Sequence, residues 1–326
     1  MDRRRFVAFV GSALAAPLLR AQAPEKIRRI GILLIAPRGQ VEDLVKAFEV
    51  GLRDLGWVNG RNLAIEIRFA DGRYDQIAVL ARELEQLDVE LIVTGVNTGT
   101  SGAFRATTRV PIVAALGTDL IDAGFAASLA RPGGRVTGVL WVVGSELYAK
   151  RLQILKEAVP KVSRVAVLWD PTFENSSHFR PEMERAATAL KLNLVWIVVT
   201  PNSDADRVVA RAIREQADSL FEVGGVWSYV LKDRLVELAA IHRLPAVYGV
   251  PAYADSGGLL SHSPSLTGNF RESARYVDRI LKGAKAGDLP IERPSKFEMV
   301  VNLKTAKVLG LTIPQSVLLR ADRVIE

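Results

Sequence analysis

Cysteine is absent from the 326-residue chain. Thiol nucleophiles, disulfide staples and cysteine-ligated metals are therefore excluded, while compartment stays open, because reducing and oxidising settings both tolerate a cysteine-free domain. Histidine is nearly absent too. His178, His242 and His262 stand at no metal-ligand spacing. No Gly-x-Ser-x-Gly nucleophile elbow occurs. The segment 91–104, LIVTGVNTGTSGAF, resembles a phosphate loop, yet it lacks the lysine of a Walker motif. Its glycines at 95, 99 and 102 also miss the dinucleotide fingerprint. No apolar run reaches the roughly 20 residues of a permanent membrane span. Nor does any Lys/Arg block interleave with aromatics, so the net charge of +7 does not argue for nucleic acid. Metal, cofactor and nucleic acid are not expected, and the signs of an enzyme are thin.

What is present begins with an address. Residues 1–23 carry Arg3, Arg4, Arg5 and Arg20 against Asp2, followed by an apolar stretch from Phe6 to Leu19 and the small-x-small pattern Ala21-Gln22-Ala23. This is the three-part grammar of a signal peptide cut after Ala23. Arg-Arg-x-Phe at Arg3–Phe6 is similar to a twin-arginine export signal. A buried first helix is the alternative reading. Export implies a periplasmic protein, and the lack of cysteine argues against a lipid anchor.

The length suits two domains of about 100–200 residues each. From Lys26 onward, short β-rich runs alternate with helical patterns. IRRIGILLIA (27–36) reads as a buried strand, and residues 41–55 follow with Val41, Leu44, Val45, Phe48, Leu52 and Leu55 at helical spacing before Gly56. RNLAIEIRFA alternates as a strand; a helix near Tyr74–Leu87, a strand ELIVTG and a strand PIVAAL (111–116) come next. After ARPGGRVTGV the pattern restarts, with helices at 145–159, 181–190, 204–217 and 229–243 between strands RVAVLWD, LVWIVVT, SLFEV and PAVYG. Strands separated by helices imply parallel pairing through βαβ crossovers. The fold class is thus α/β with two Rossmann-like lobes. The tail, a helix at 270–284 and then a strand and short helix in KFEMVVNLKTAKVLG, is too small for a third domain and returns to the lobes already built.

In open α/β sheets, ligands bind beyond the carboxyl ends of the strands. That rule picks out APRG (36–39), TGVNTGTSG, GTDL (117–120), DPTFENS (170–176), VGGVW (223–227) and YGVP (248–251). The candidate ligand contacts are Pro37, Arg38, Thr94, Asn97, Thr98, Gly117, Thr118, Asp119, Asp170, Asn175, Trp227 and Tyr248. Hydroxyls at a helix N-terminus suit a carboxylate, although the same segment reads equally as a capped turn. Trp227 or Tyr248 would stack on a planar group. Glu222 and Asp255 could pair across a cleft.

The stretches RRIGILL, FEVGLRDLGWVNGRNLAIEIRFADG, SLARPGGRVTGV, LAAIHRLPAVY and ARYVDRILKGAKAGDLPIERPSKFEMVVNLKTAKVLGLTIPQSVLLRADRVIE span nearly the whole chain. In them the chain resembles the substrate-binding proteins of bacterial ABC transporters, in the branch with tryptophan- and tyrosine-binding members. The resemblance implies the type I periplasmic-binding fold, with a hinge of three crossovers. Lobe 1 would be residues 24–140 completed by 266–296, and lobe 2 residues 141–265 completed by 297–326. It further implies a monomer that closes on a small solute and docks on membrane permease subunits. The sequence departs from the usual pattern at Asp119-Leu120 and Gly224-Gly225, where Asp-Pro is common, and at Ser261-His262, where Ser-Tyr is common. The acidic partner of a ligand ammonium is thereby missing near Gly224. Presentation of a solute to a membrane receptor kinase fits the same residues. A repressor of this fold would need a helix-turn-helix where the leader stands.

Overall fold

A computed structural model describes residues 27–118, 120–141, 146–171, 176–200, 202–294 and 296–326. The leader over 1–23, Asp119 and Asn175 lie outside the described residues.

The first half lays down β1 (Arg28–Leu34), α1 (Arg38–Asp54), β2 (Leu63–Phe69), α2 (Ile77–Gln86), β3 (Ile92–Val96), α3 (Asn97–Ala106), β4 (Ile112–Gly117) and β5 (Val136–Leu140). The strands pair in parallel in the order β2-β1-β3-β4-β5. Both faces of this sheet are covered, so its central strands are apolar throughout rather than alternating. Ile30, Ile32, Val93 and Val113 point to one face, and Leu33, Ile92, Ile112 and Ala114 to the other. The helical spacing read in α1 becomes its buried stripe of Val41, Leu44, Val45, Phe48 and Leu52. Each such side chain contributes about 1.5–3 kcal/mol when fully buried.

The second half supplies α4 (Glu146–Ala158), β6 (Arg164–Trp169), α5 (Ser176–Ala189), β7 (Asn193–Val198), α6 (Ala205–Arg214), β8 (Ser219–Glu222), α7 (Val226–Val230), α8 (Lys232–Ile241), β9 (Ala246–Tyr248), α9 (Pro251–Asp255) and β10 (Leu260–Pro264). After them come α10 (Leu266–Leu281), β11 (Phe297–Asn302), α11 (Leu303–Val308), α12 (Gln315–Leu318) and β12 (Arg323–Ile325). The second sheet runs β12-β11-β10-β9-β8-β6-β7. It is parallel except where β11 meets β10. Helix α10 crosses back to pack on α1 and β4 of the first lobe, and β11 and β12 return to the second sheet. The chain therefore passes between the lobes three times, and the α/β class with two parallel-sheet lobes is as read from sequence.

Local differences have local causes. The span read as a Gly/Thr/Ser loop at 97–104 is the body of α3. The single helix read at 229–243 is two, α7 and α8. Helix α5 begins at Ser176, earlier than the 181 read from sequence, and carries Pro181 inside it. Strands β5, β10 and β12 have no counterpart in the sequence reading; they have only 3 to 5 residues, too few for a period to show.

Candidate functional site

Between the lobes lies a cavity of about 320 Å³, floored by strand ends from both sheets. From the first lobe it takes Leu34–Ala36 after β1, Gln40, Val41 and Leu44 of α1, Gly95 and Val96 ending β3, and Leu116 of β4. From the second come Glu222, Gly224–Val226 and Tyr229 around the β8–α7 turn, and Val250–Tyr253 around the start of α9. Trp141 and the first turns of α10 (Leu266, Thr267, Phe270) close the side where the chain crosses over. Local sequence sets these positions. Ser265 caps α10, its hydroxyl accepting from the Gly268 N–H at 3.1 Å. Pro251 opens α9 at its first residue, where the missing N–H costs nothing. Gly225, at φ 127°, turns β8 into α7, and a Cβ there would stand 2.6 Å from Cβ of Asp170.

The wall is apolar with a few convergent polar groups, as small-molecule pockets are. The deepest is Glu222, 1% exposed. Ser228 Oγ donates to its Oε1 at 2.6 Å and the Gly249 N–H to its Oε2 at 2.9 Å. Buried Arg151 donates to the carbonyls of Glu222 and Val223 at 2.9 and 3.0 Å. Burial raises the Glu222 pKa, against the opposing pull of the Ser228 hydrogen bond and the Arg151 charge. Tyr253 stacks on Tyr248 with centroids 4.5 Å apart. Its hydroxyl faces Ser228 without a partner of hydrogen-bonding geometry. Burial pushes both tyrosine hydroxyls well up. At the rim, Arg323 bonds Asp255 at 2.6 Å and stands 3.7 Å from Glu298.

Two contacts bridge the lobes over this cavity. The Tyr229 hydroxyl donates to the Gln40 carbonyl at 3.3 Å, and burial, ahead of Asp43, Asp233 and Asp255, raises its pKa to about 12. Trp227 meets Tyr74 edge-to-face with centroids 5.1 Å apart, and a Cβ on Gly72 would stand 3.7 Å from its ring.

The residues picked out from sequence fall around the cavity rather than on its surface. Pro37 caps α1 and exposed Arg38 begins it. Thr94 is fully buried, its hydroxyl 2.7 Å from that of Thr100. Asn97 opens α3 and its Oδ1 accepts from the Thr118 N–H at 3.0 Å. Thr98 and Thr118 are half-buried, and the Thr118 hydroxyl has no partner. Gly117 ends β4, its carbonyl accepting from Trp141 at 2.6 Å. Asp170 is buried after β6. Trp227 bridges the lobes, and Tyr248 lies behind Tyr253. Pro37, Asn97, Gly117 and Trp227 each adjoin a lining residue in sequence. Glu222 and Asp255 both line the cavity. Gln40, Tyr229, Tyr253 and Phe270 escaped the sequence reading, because only packing decides which part of a helix meets the cleft.

The family described as ABC transporter substrate binding protein matches residues 29–325. The chain belongs to that family. Its members are substrate-binding proteins rather than enzymes. A tyrosine-binding protein of Clostridioides difficile (strain R20291) is 22% identical over 295 residues, 88% of this chain and 82% of the relative. Among solved structures, the ABC domain of Streptococcus pneumonia in complex with L-Trp superposes with a TM-score of 0.82 at 24% identity, covering 91% of this chain and 99% of that one. The leucine-binding protein LivK of Thermotoga maritima gives 0.61 at 13% identity, over 80% and 85%. At these identities the superpositions establish the fold, a type I periplasmic-binding architecture. Among the described residues no helix is long and apolar enough to cross a membrane.

Proposed function

We propose that the chain is the periplasmic solute-binding component of an ABC importer, working as a monomer that hands a small organic solute to membrane permease subunits. The supporting observation is the cavity between two lobes that already touch across it through Tyr229–Gln40 and Trp227–Tyr74. A solute there contacts both lobes only when they are together, so its binding energy shifts the open–closed equilibrium toward closure. An amino acid or a related aromatic is the class that the tyrosine- and tryptophan-binding relatives favour. Glu222, two residues upstream, stands in for the acidic group missing at Gly224, and apolar walls from Leu34 to Phe270 take the side chain. The lobe boundaries proposed are 24–140 with 266–296, and 141–265 with 297–326. Asn97, Thr98, Thr118 and Trp227 are proposed as an outer ring of contacts, and Asp119 and Asn175 as further solute contacts from their place in the sequence.

Thermal unfolding of residues 24–326 against amino acids, aromatic acids, amines, purines, short peptides and sugars tests this. A ligand at 100 times its Kd adds about 2.7 kcal/mol, a clear rise in Tm. One stabilising class supports the reading; a flat response across the panel removes it.

A further inference from the structure

We infer that the interlobe cavity is built for a solute whose polar head is a cation, an aryl- or alkylammonium group, and that it turns anionic solutes away. The inference rests on the cavity being the solute site. Among the described residues that line it, Asp43, Glu222, Asp255 and Glu298 bring four carboxylates against the guanidinium of Arg323. That guanidinium is already engaged by Asp255 and Glu298. A ligand carboxylate would therefore enter a field of its own sign with no uncommitted side-chain cation to meet it. An ammonium meets the opposite situation.

Two further groups point the same way. The Tyr253 side chain is 1% exposed and lines the cavity, yet its hydroxyl faces Ser228 without a hydrogen bond of good geometry. Gln40 also lines it, and its side-chain carbonyl oxygen is buried and unpartnered. An unmatched buried polar atom costs free energy, and these two accept hydrogen bonds. The Glu222 carboxylate takes donors from Ser228, Gly249 and the Gly224 backbone, and such a group accepts about four, so one place remains. Three N–H donors of a primary ammonium match this set, while a carboxylate, which only accepts, is left with neutral side-chain donors such as the Tyr253 and Thr267 hydroxyls and the Gln40 amide. Trp141 and Phe270 also line the cavity and bring aromatic rings to the ligand's body or its charge. At about 320 Å³ the space suits one ring system on a short chain.

The test is titration of the chain, by calorimetry, with matched sets sharing one ring: 2-phenylethylamine, L-phenylalanine and 3-phenylpropionate, then tryptamine, L-tryptophan and indole-3-propionate. The expected order is amine, then zwitterion, then acid, with at least tenfold between amine and acid. Glu222→Gln should weaken the amines at least tenfold and leave the acids unchanged or tighter. Because Glu222 is buried, the exposed variants Asp43→Asn and Asp255→Asn serve as the second probe, each weakening amines by a few-fold without loss of fold. Acids binding as tightly as amines, or amine affinity indifferent to all three variants, overturns the charge assignment and leaves solute binding standing. No binding by any of the six compounds also overturns it; the wider solute panel then decides separately whether the chain binds solutes at all.

Discussion

On the first lobe, the polar side chains at the strand ends bind one another: Thr94 with Thr100, Asn97 with the Thr118 backbone. Among the described residues, nothing charged is buried at these junctions. On the second lobe, the equivalent strand ends surround a buried guanidinium and carboxylate, Arg151 and Glu222, with Ser228 and two stacked tyrosines around them. Neutral hydroxyl pairs are inexpensive to bury and fix a strand to its helix. A buried charged network costs desolvation and stands only while every partner is present. The first wall therefore reads as scaffold first, with contacts at its edge, and the second as the side that carries most of the chemical recognition.

The largest expected effect comes from breaking the second wall. Arg151 is 2% exposed, lies over the rings of Tyr148 and Phe221, and clamps two carbonyls at the end of β8. Arg151→Ala should cost about 3–5 kcal/mol in chemical denaturation, because the Glu222 carboxylate is left without its buried counter-charge. Arg151→Met combined with Glu222→Gln should recover part of that loss. Coupling below about 0.5 kcal/mol in the double-mutant cycle would show the two groups to be independent.

The second expected effect is a pH dependence confined to the same lobe. His262, on β10, stacks against Phe297 and has a pKa lowered to about 4. Burial is the main cause, helped by Arg151, Lys150 and Arg320 and opposed by Asp322. An imidazole with a depressed folded pKa contributes stability above its unfolded value, about 6.5, and loses it as pH falls toward 4. Unfolding free energy should therefore drop by about 1–3 kcal/mol between pH 7 and pH 4, discounted for the residue's partial exposure. His262→Gln should flatten that slope. Glu222 acts with the opposite sign: its raised pKa gives stability that is lost as pH rises, so the histidine variant, rather than the raw curve, isolates His262.

Thr94→Val should cost less, about 1–2 kcal/mol, because it keeps the shape and strands one neutral hydroxyl, that of Thr100. Its effect on solute affinity should be absent. A Thr94→Val protein of normal stability that loses affinity would return the first wall to a part in recognition.

How much of this was legible in the sequence follows the same division. The strand–helix alternation and the stripe on α1 could be read because apolar period and burial coincide there. The α3 segment could not. Its Gly, Thr and Ser favour turns, yet close packing overrides propensity: a Cβ at Gly102 would stand 2.3 Å from Ile77, so only glycine lets the helix lie there. The cleft was legible as a set of strand ends, which is topology. Its lining was not, because a shift of one residue, from Asn97 to Val96 or from Trp227 to Val226, moves a side chain off the surface, and that shift is set by twist and cap geometry. Glu222, with Asp255, was the part of the lining that could be read, Glu222 as an acid ending an otherwise apolar strand.

The smallest expected effect concerns how the two walls meet. Trp227 leaves the second lobe and rests edge-on against Tyr74 of the first. Such a pair contributes about 0.5–1.5 kcal/mol beyond its buried area. Trp227→Ala should therefore lower the closed fraction and weaken solute affinity by about two- to tenfold, since apparent affinity scales with the competent population. Thermal stability of the ligand-free protein should change little, because the residue is only half-buried and packs at the margin of the core rather than within it. Small-angle scattering without ligand should show a larger radius of gyration than the parent chain, and saturation with ligand should restore it. If Trp227→Ala abolished binding outright while leaving the ligand-free dimensions unchanged, Trp227 would act as a solute contact alone and not also as a clasp, and recognition would rest on the outer edge of the second wall as much as on the buried network.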